Sequence, residues 1–177
     1  MASVPPDSPP PTSRWWQILL VGRHPRLTLA RLLLLVGLSY GTFGHVLLPV
    51  RVTGISMEPT YRDGSVNCVN RLSFRFRPPA PGDIVAIRSP GLRPLLLKRI
   101  LAGPGDRIRL VRGQVFVNDQ LLDEPYLDRR RMAPWNEAET RLGVDEYYVV
   151  GDNRTMAGRD HVHGVTSGEY LVGRVLW

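Results

Sequence analysis

Apolar positions fall into one long block followed by a series of short ones. The long block runs from Leu32 to Val50 without a charge and is bracketed by Arg31 and Arg51. As a helix, its 19 residues would rise roughly 28 Å, close to the hydrocarbon thickness of a bilayer. A transmembrane helix is therefore expected over 27–50. Gly37, Gly41, Gly44 and His45 interrupt its apolar surface, and Pro49 marks where it ends. A cleaved signal peptide has a shorter apolar region nearer the start, so a retained span is the better match.

Beyond the block, short apolar runs recur at Ser65–Val69, Ile84–Ile87, Leu95–Leu101, Arg107–Val111, Gln114–Val117, Tyr147–Val150 and Tyr170–Leu176. Turn formers stand between them: Pro-Gly-Asp at 81–83, Gly-Pro-Gly-Asp at 103–106, Val-Asn-Asp at 117–119 and Gly-Asp-Asn at 151–153. Runs of this length between such turns predict strands. Helical periodicity is confined to a short turn near 136–142. Residues 51–177 therefore read as one mainly β domain, with the polar stretch 128–143 as an excursion from it. Residues 1–26 open on a Pro/Ser-rich run that cannot bury a core, and read as a disordered, basic tail.

Charge sets the orientation. Arg14, Arg23, Arg26 and Arg31 precede the span, whereas Arg51 and Arg62 beyond it are diluted by Glu58 and Asp63. The positive-inside rule leaves the N-terminus in the cytoplasm and carries residues 51–177 across, with Trp15 and Trp16 as interfacial anchors. The formal net charge is +7, but the arginines are scattered rather than striped, so nucleic acid is not an expected partner. The densest cluster, Arg71 to Arg77, alternates arginine with aromatics and reads as an exposed strand face, with lipid contact as the rival. A single Cys68 excludes an intramolecular disulfide and zinc-cluster spacing.

Of the 23 basic residues, one alone is lysine: Lys98, after Leu95-Leu96-Leu97. Arginine stays charged inside a protein, whereas a desolvated lysine becomes a neutral amine and a base. A serine hydroxyl needs such a base to become a nucleophile. Ser56 is the candidate, between Gly54 and the Met57-Glu58-Pro59 turn just past the span. His161 and His163 share a strand face, but further ligands are missing nearby, so no metal is expected. That segment reads as a polar surface loop rather than as a catalytic histidine.

The order of the motifs narrows the chemistry further. Gly54-Ile55-Ser56-Met57-Glu58-Pro59-Thr60 comes after the apolar block. Then come Gly82-Asp83-Ile84-Val85, Lys98-Arg99-Ile100 with Gly103-Pro104-Gly105-Asp106, Glu124-Pro125-Tyr126 and Gly151-Asp152-Asn153-Arg154. The chain from about residue 30 onward resembles type I signal peptidase, the membrane-bound serine–lysine endopeptidase family. The resemblance implies a mostly antiparallel β catalytic domain resting on the membrane through an apolar surface, acting without metal or organic cofactor.

It further implies that Ser56 is the nucleophile and Lys98 its general base and acid. The backbone N–H of Ser56 would contribute to the oxyanion hole. Some members add a hydroxyl where this chain has Gly54. Met57 would shape the pockets, and Asp152, Asn153 and Arg154 would brace the adjoining loop. Substrates would be signal peptides of exported preproteins, cut after small residues at a bacterial inner membrane. The chain departs from the family after Gly-Asp-Asn-Arg, where the usual serine and aspartate are Ala157 and Arg159. That leaves Asp160 to pair with Arg154 or Arg159. A relative dedicated to one substrate, pilin-type or organellar, and a non-catalytic membrane-tethered binding module are the alternative readings.

Overall fold

The computed structural model describes residues 25–88, 91, 94–127 and 132–176. The expected tail, its tryptophans and the start of the 128–143 excursion lie outside these residues. The described chain forms two compact units that divide at Gly41.

The first unit is helix α1, Pro25–Gly41. Leucine dominates every side of it, and its leucines from Leu27 to Leu38 expose more than half of their surface. A helix that is apolar all round needs lipid or protein to cover it. With the π-helical turn Thr42–Val46 the helical stretch Arg26–Val46 reaches 21 residues at mean hydropathy 1.5, long and apolar enough to cross a bilayer.

The expected helix over 27–50 ends early. Residues 47–50 instead enter strand β1, Leu47–Arg51. It pairs antiparallel with β2, Val66–Asn70, from Leu47↔Asn70 to Arg51↔Val66. Pro49 cannot continue a helix, but an edge strand tolerates its missing N–H. Sheet pairing therefore overrides hydropathy here.

The rest of the second unit comprises β3 Ile84–Ile87, β4 Leu96–Ala102, β5 Arg107–Val111, β6 Gln114–Val117, β7 Gln120–Leu121, β8 Glu137–Arg141, β9 Glu146–Val150, β10 Gly164–Ser167 and β11 Leu171–Leu176. Every strand pair is antiparallel. A seven-stranded sheet runs β1-β2-β11-β3-β4-β9-β10, and a four-stranded sheet runs β7-β6-β5-β8. Both Pro-Gly-Asp turns form as expected, because Gly82 and Gly105 supply the positive φ (91° and 83°) that a side chain would resist. Asp83 and Asp106 close these turns by accepting from the N–H groups of Ala80 and Gly103.

Three apolar clusters hold the sheets. Val52, Met57, Val69, Ala86, Leu97 and Val175 fill one face of the large sheet. Val85, Ile87, Ile100, Tyr147 and Val149 fill the other. Leu101, Tyr148 and Val150 meet Ile108, Leu110 and Val115 where the small sheet packs, sealed by Trp135 and Leu142. Strand β4 is therefore buried on both faces, the position in which a charged side chain is most strongly desolvated.

Two further expectations change. The turn expected near 136–142 is strand β8, paired with β5 at the edge of the small sheet. Its Glu-Ala-Glu-Thr-Arg sequence shows no apolar alternation because it is largely exposed on both faces. Arg71–Arg77 is not a strand. Asn70 accepts from the Leu72 N–H, and the Ser73 hydroxyl donates to the Asn70 carbonyl. These bonds turn the chain into the short helix Ser73–Phe76. Phe74 packs inward, while Phe76 is exposed.

Candidate active site

Beyond β1 the chain makes a tight excursion that presents Ser56. The Gly54 N–H donates to Asp63 Oδ1 at 2.8 Å, with Gly54 at φ 92°. The Met57 carbonyl takes the Tyr61 N–H at 2.9 Å, closing one helical turn. Met57 is fully buried and anchors the turn, while Ser56 beside it stays half-buried. Asn153 fixes the peptides on both sides of the serine. Its N–H donates to the Ser56 carbonyl at 3.0 Å, and its side-chain Nδ2 donates to the Ile55 carbonyl at 3.0 Å. Among the described residues, no backbone group takes the Ser56 N–H.

Lys98 sits in the middle of β4, paired with Val85, at 3% exposure. On its other side β4 pairs with β9 from Arg99↔Val150. Gly151 is therefore the next residue across from Lys98. A Cβ on Gly151 would collide with both the Ser56 carbonyl oxygen and Nε2 of His161. Serine and histidine thus converge on one glycine that must remain bare, next in register to Lys98.

Burial lowers the Lys98 amine from 10.5 to about 8, against the opposing pull of Asp152. Desolvation prevails because Asp152 is already engaged. Arg99 Nε and Nη2 hold its carboxylate at 2.9 and 2.6 Å, with the Thr60 hydroxyl as a further donor. The alternation of strand β4 lets adjacent basic residues differ: Arg99 takes the counterion and Lys98 has none among the described ion pairs. The result is an amine that gives up its proton near pH 8 rather than 10.5, so that a minor but useful fraction is neutral near physiological pH.

A polar chain extends from this pair. The Arg99 guanidinium lies 3.9 Å over the Tyr126 ring, and the Tyr126 hydroxyl donates to Glu124 at 2.7 Å. Glu124 also accepts from Arg154 Nη2, at 3.1 and 3.2 Å, in a buried ion pair. Arg154 in turn lies 5.3 Å from the Trp135 ring. Burial and the neighbouring Glu124 carboxylate push the Tyr126 phenol far up, so it remains a donor. Glu-Pro-Tyr and Gly-Asp-Asn-Arg, far apart in sequence, therefore form one connected brace.

Of the expected site residues, Asn153 binds the peptides flanking Ser56, Asp152 accepts from Thr60 of the same turn, and Lys98 and the Ser56 backbone both act on His161, whereas Arg154 points away into the Glu124 pair. Ala157 is exposed at the start of a 3-10 turn, Gly158–Asp160. Arg159 is also exposed and stands 3.9 Å from Asp160, so of the two pairings left open Asp160 takes the weaker, solvent-screened one. His161 does not lie on a surface loop; it is 4% exposed. Its burial depends on Trp135 and Gly151, which no local pattern reveals. Among the described residues no group of three or more His, Cys, Asp or Glu could hold a metal. A groove of about 400 Å³, lined by Val50, Val52, Ser56, Met57, Leu95 and Leu97, opens beside the serine.

A buried amine without a partner among the described ion pairs, on an antiparallel β framework that also carries the Ser56 turn, is consistent with a serine–lysine class of hydrolytic site. The family described as "Signal peptidase, peptidase S26" matches residues 26–177, and the chain belongs to it. Probable signal peptidase I-2 of Synechocystis sp. is 34% identical over 127 residues, covering 67% of this chain and 56% of that protein. Signal peptidase I of Leptolyngbya laminosa is 28% identical over 129 residues, covering 68% and 63%. The chain thus spans less than two thirds of the length of these two curated relatives. The crystal structure of a signal peptidase I from Enterococcus faecalis V583 aligns at TM-score 0.46 and 22% identity, over 56% of this chain and 98% of that one.

Proposed function

We propose that this protein is a membrane-tethered serine endopeptidase that removes signal peptides from exported preproteins. Ser56 attacks the scissile carbonyl while Lys98 takes its proton, then returns it to the leaving amine. The Ser56 N–H, in a peptide plane oriented by Asn153, faces the developing oxyanion. The mainly apolar groove beside Ser56 takes an extended substrate segment with small side chains next to the cut, such as an Ala-x-Ala site. Helix α1 anchors the enzyme in a bacterial inner membrane, with its N-terminus in the cytoplasm and the β unit on the outer face.

One observation carries this reading: the single lysine of the chain is buried in β4 with its amine brought to about 8. Cleavage of a preprotein bearing an Ala-x-Ala site tests it, using detergent-solubilised wild type beside Lys98→Ala. The rate should fall by on the order of 10³-fold in the variant. For wild type it should rise with pH to a midpoint near 8, where the amine loses its proton. Persistent cutting by the variant would move the base elsewhere, and an inactive wild type would favour the tethered binding module or a relative dedicated to one substrate.

A further inference from the structure

The His161-Val162-His163 segment is the one motif that the serine–lysine chemistry does not use, and its first histidine is among the most buried polar side chains of the molecule. The ring of His161 stands 5.0 Å from that of Trp135, tilted by 49°. Trp135 also stacks on His163 at 5.1 Å. His163 Nδ1 lies 2.6 Å from the His161 carbonyl, and its Nε2 is 3.2 Å from Glu137 of β8. One histidine therefore clamps the backbone of the other, while the tryptophan fixes the ring. On its far side Nε2 meets the space above Gly151 that the Ser56 carbonyl also borders.

Simple packing does not explain this choice of residue. Neither ring nitrogen completes a well-formed hydrogen bond in the structure, a cost that phenylalanine or leucine would avoid. The titratable groups facing the ring are Lys98 from β4, Arg154 and His163, all basic. Burial first, then the Lys98 charge, lowers His161 to about 4, and the Ser56 backbone beside the ring opposes this only in part. The ring is thus uncharged where the enzyme works, and adds no positive charge beside an amine that must lose its own. Ala157, exposed and without a hydroxyl, cannot serve in its place.

We propose that His161 is a positioning residue of the serine–lysine pair, its Nε2–H directed at the Ser56 carbonyl so that ring and Asn153 together hold the backbone that carries the nucleophile. The assignment rests on the proposed peptidase function. Its expected contribution is to kcat, because it sets the approach of the hydroxyl and not the fit of the substrate.

The test uses full-length protein in detergent with an Ala-x-Ala peptide, comparing wild type, His161→Leu and His161→Gln, with Ser56→Ala as the blank. The leucine variant should lose about tenfold to a hundredfold in kcat, with KM changed by less than about twofold. Glutamine, whose amide carries an N–H at similar reach, should recover most of that loss. Equal losses in both variants, a loss carried by KM, or an unimpaired leucine variant would overturn the proposal.

Imidazole ¹⁵N spectra of wild type read the assignment without turnover. An uncharged ring protonated on Nε2 is expected from about pH 5 to 7; a ring protonated on Nδ1, or cationic at about pH 6, would overturn it. If wild type cuts nothing while the ring carries its proton on Nε2, the peptidase reading fails and the placement of His161 stands.

Discussion

At the scale of single residues, Lys98 is a destabilising choice that the proposed chemistry explains. Its amine lies near 8 when folded and 10.5 when exposed, a difference worth about 3 kcal/mol at 1.36 kcal/mol per unit. The folded value is depressed, so the unfolded chain binds the extra proton between those two values. Wild-type stability should therefore rise as pH increases from about 8 to 10.5, and the full penalty stands below that window. Lys98→Met, similar in length and apolar, should be inactive yet roughly 1–3 kcal/mol more stable at pH 7. Urea unfolding at pH 7 and pH 10 checks both parts, with the advantage shrinking at the higher pH. A variant less stable than wild type at pH 7 would show that Lys98 has a counterpart that outweighs its burial.

At the scale of elements, the brace between loops matters more than any strand alone. Glu124 and Arg154 pair at 5% and 3% side-chain exposure, and truncating the acid leaves a buried guanidinium with the Trp135 ring against it. Glu124→Ala should therefore cost about 3–5 kcal/mol, measured as a drop in the urea midpoint. Its effect on the Ser56 turn should exceed what its distance suggests, because Tyr126 and Arg99 link Glu124 to Asp152. The strands that pattern foresaw are those with an apolar face: β2, β3, β4, β5, β6, β9 and β11 lie within a residue or two of the expected runs. Those it missed, β1, β7, β8 and β10, stand at sheet edges or end a sheet. β8 is largely exposed on both faces, and β10 is a four-residue Gly-Val-Thr-Ser segment held by its register with β9. Neither has the alternation that burial of one face imposes.

At the scale of the molecule, an apolar helix precedes a compact β unit of residues 42–177. In vesicles, the whole chain should resist extraction by alkaline carbonate, whereas a protein beginning at Thr42 should be released. Release of the whole chain would contradict a membrane span. If the orientation follows the arginines, protease added outside right-side-out vesicles formed from intact cells should digest the β unit.

The amino-acid order alone determined the apolar length of the N-terminal block, the β character of the domain beyond it and the turns that separate its strands. It also marked Ser56 and Lys98, because a candidate serine and a lone lysine stand inside motifs that follow a family's order. Those features are local, written in neighbouring side chains. Tertiary structure decided where the helix yields to β1, since the partners of Leu47–Arg51 come from β2, on the far side of the serine turn. It decided that Asp152 goes to Arg99 and leaves Lys98 without a counterion, and that His161 is buried against Gly151. Protonation and burial depend on what packs over a side chain, and in this fold those partners arrive from β9, Trp135 and the 151–161 loop, all distant in sequence from Ser56 and Lys98.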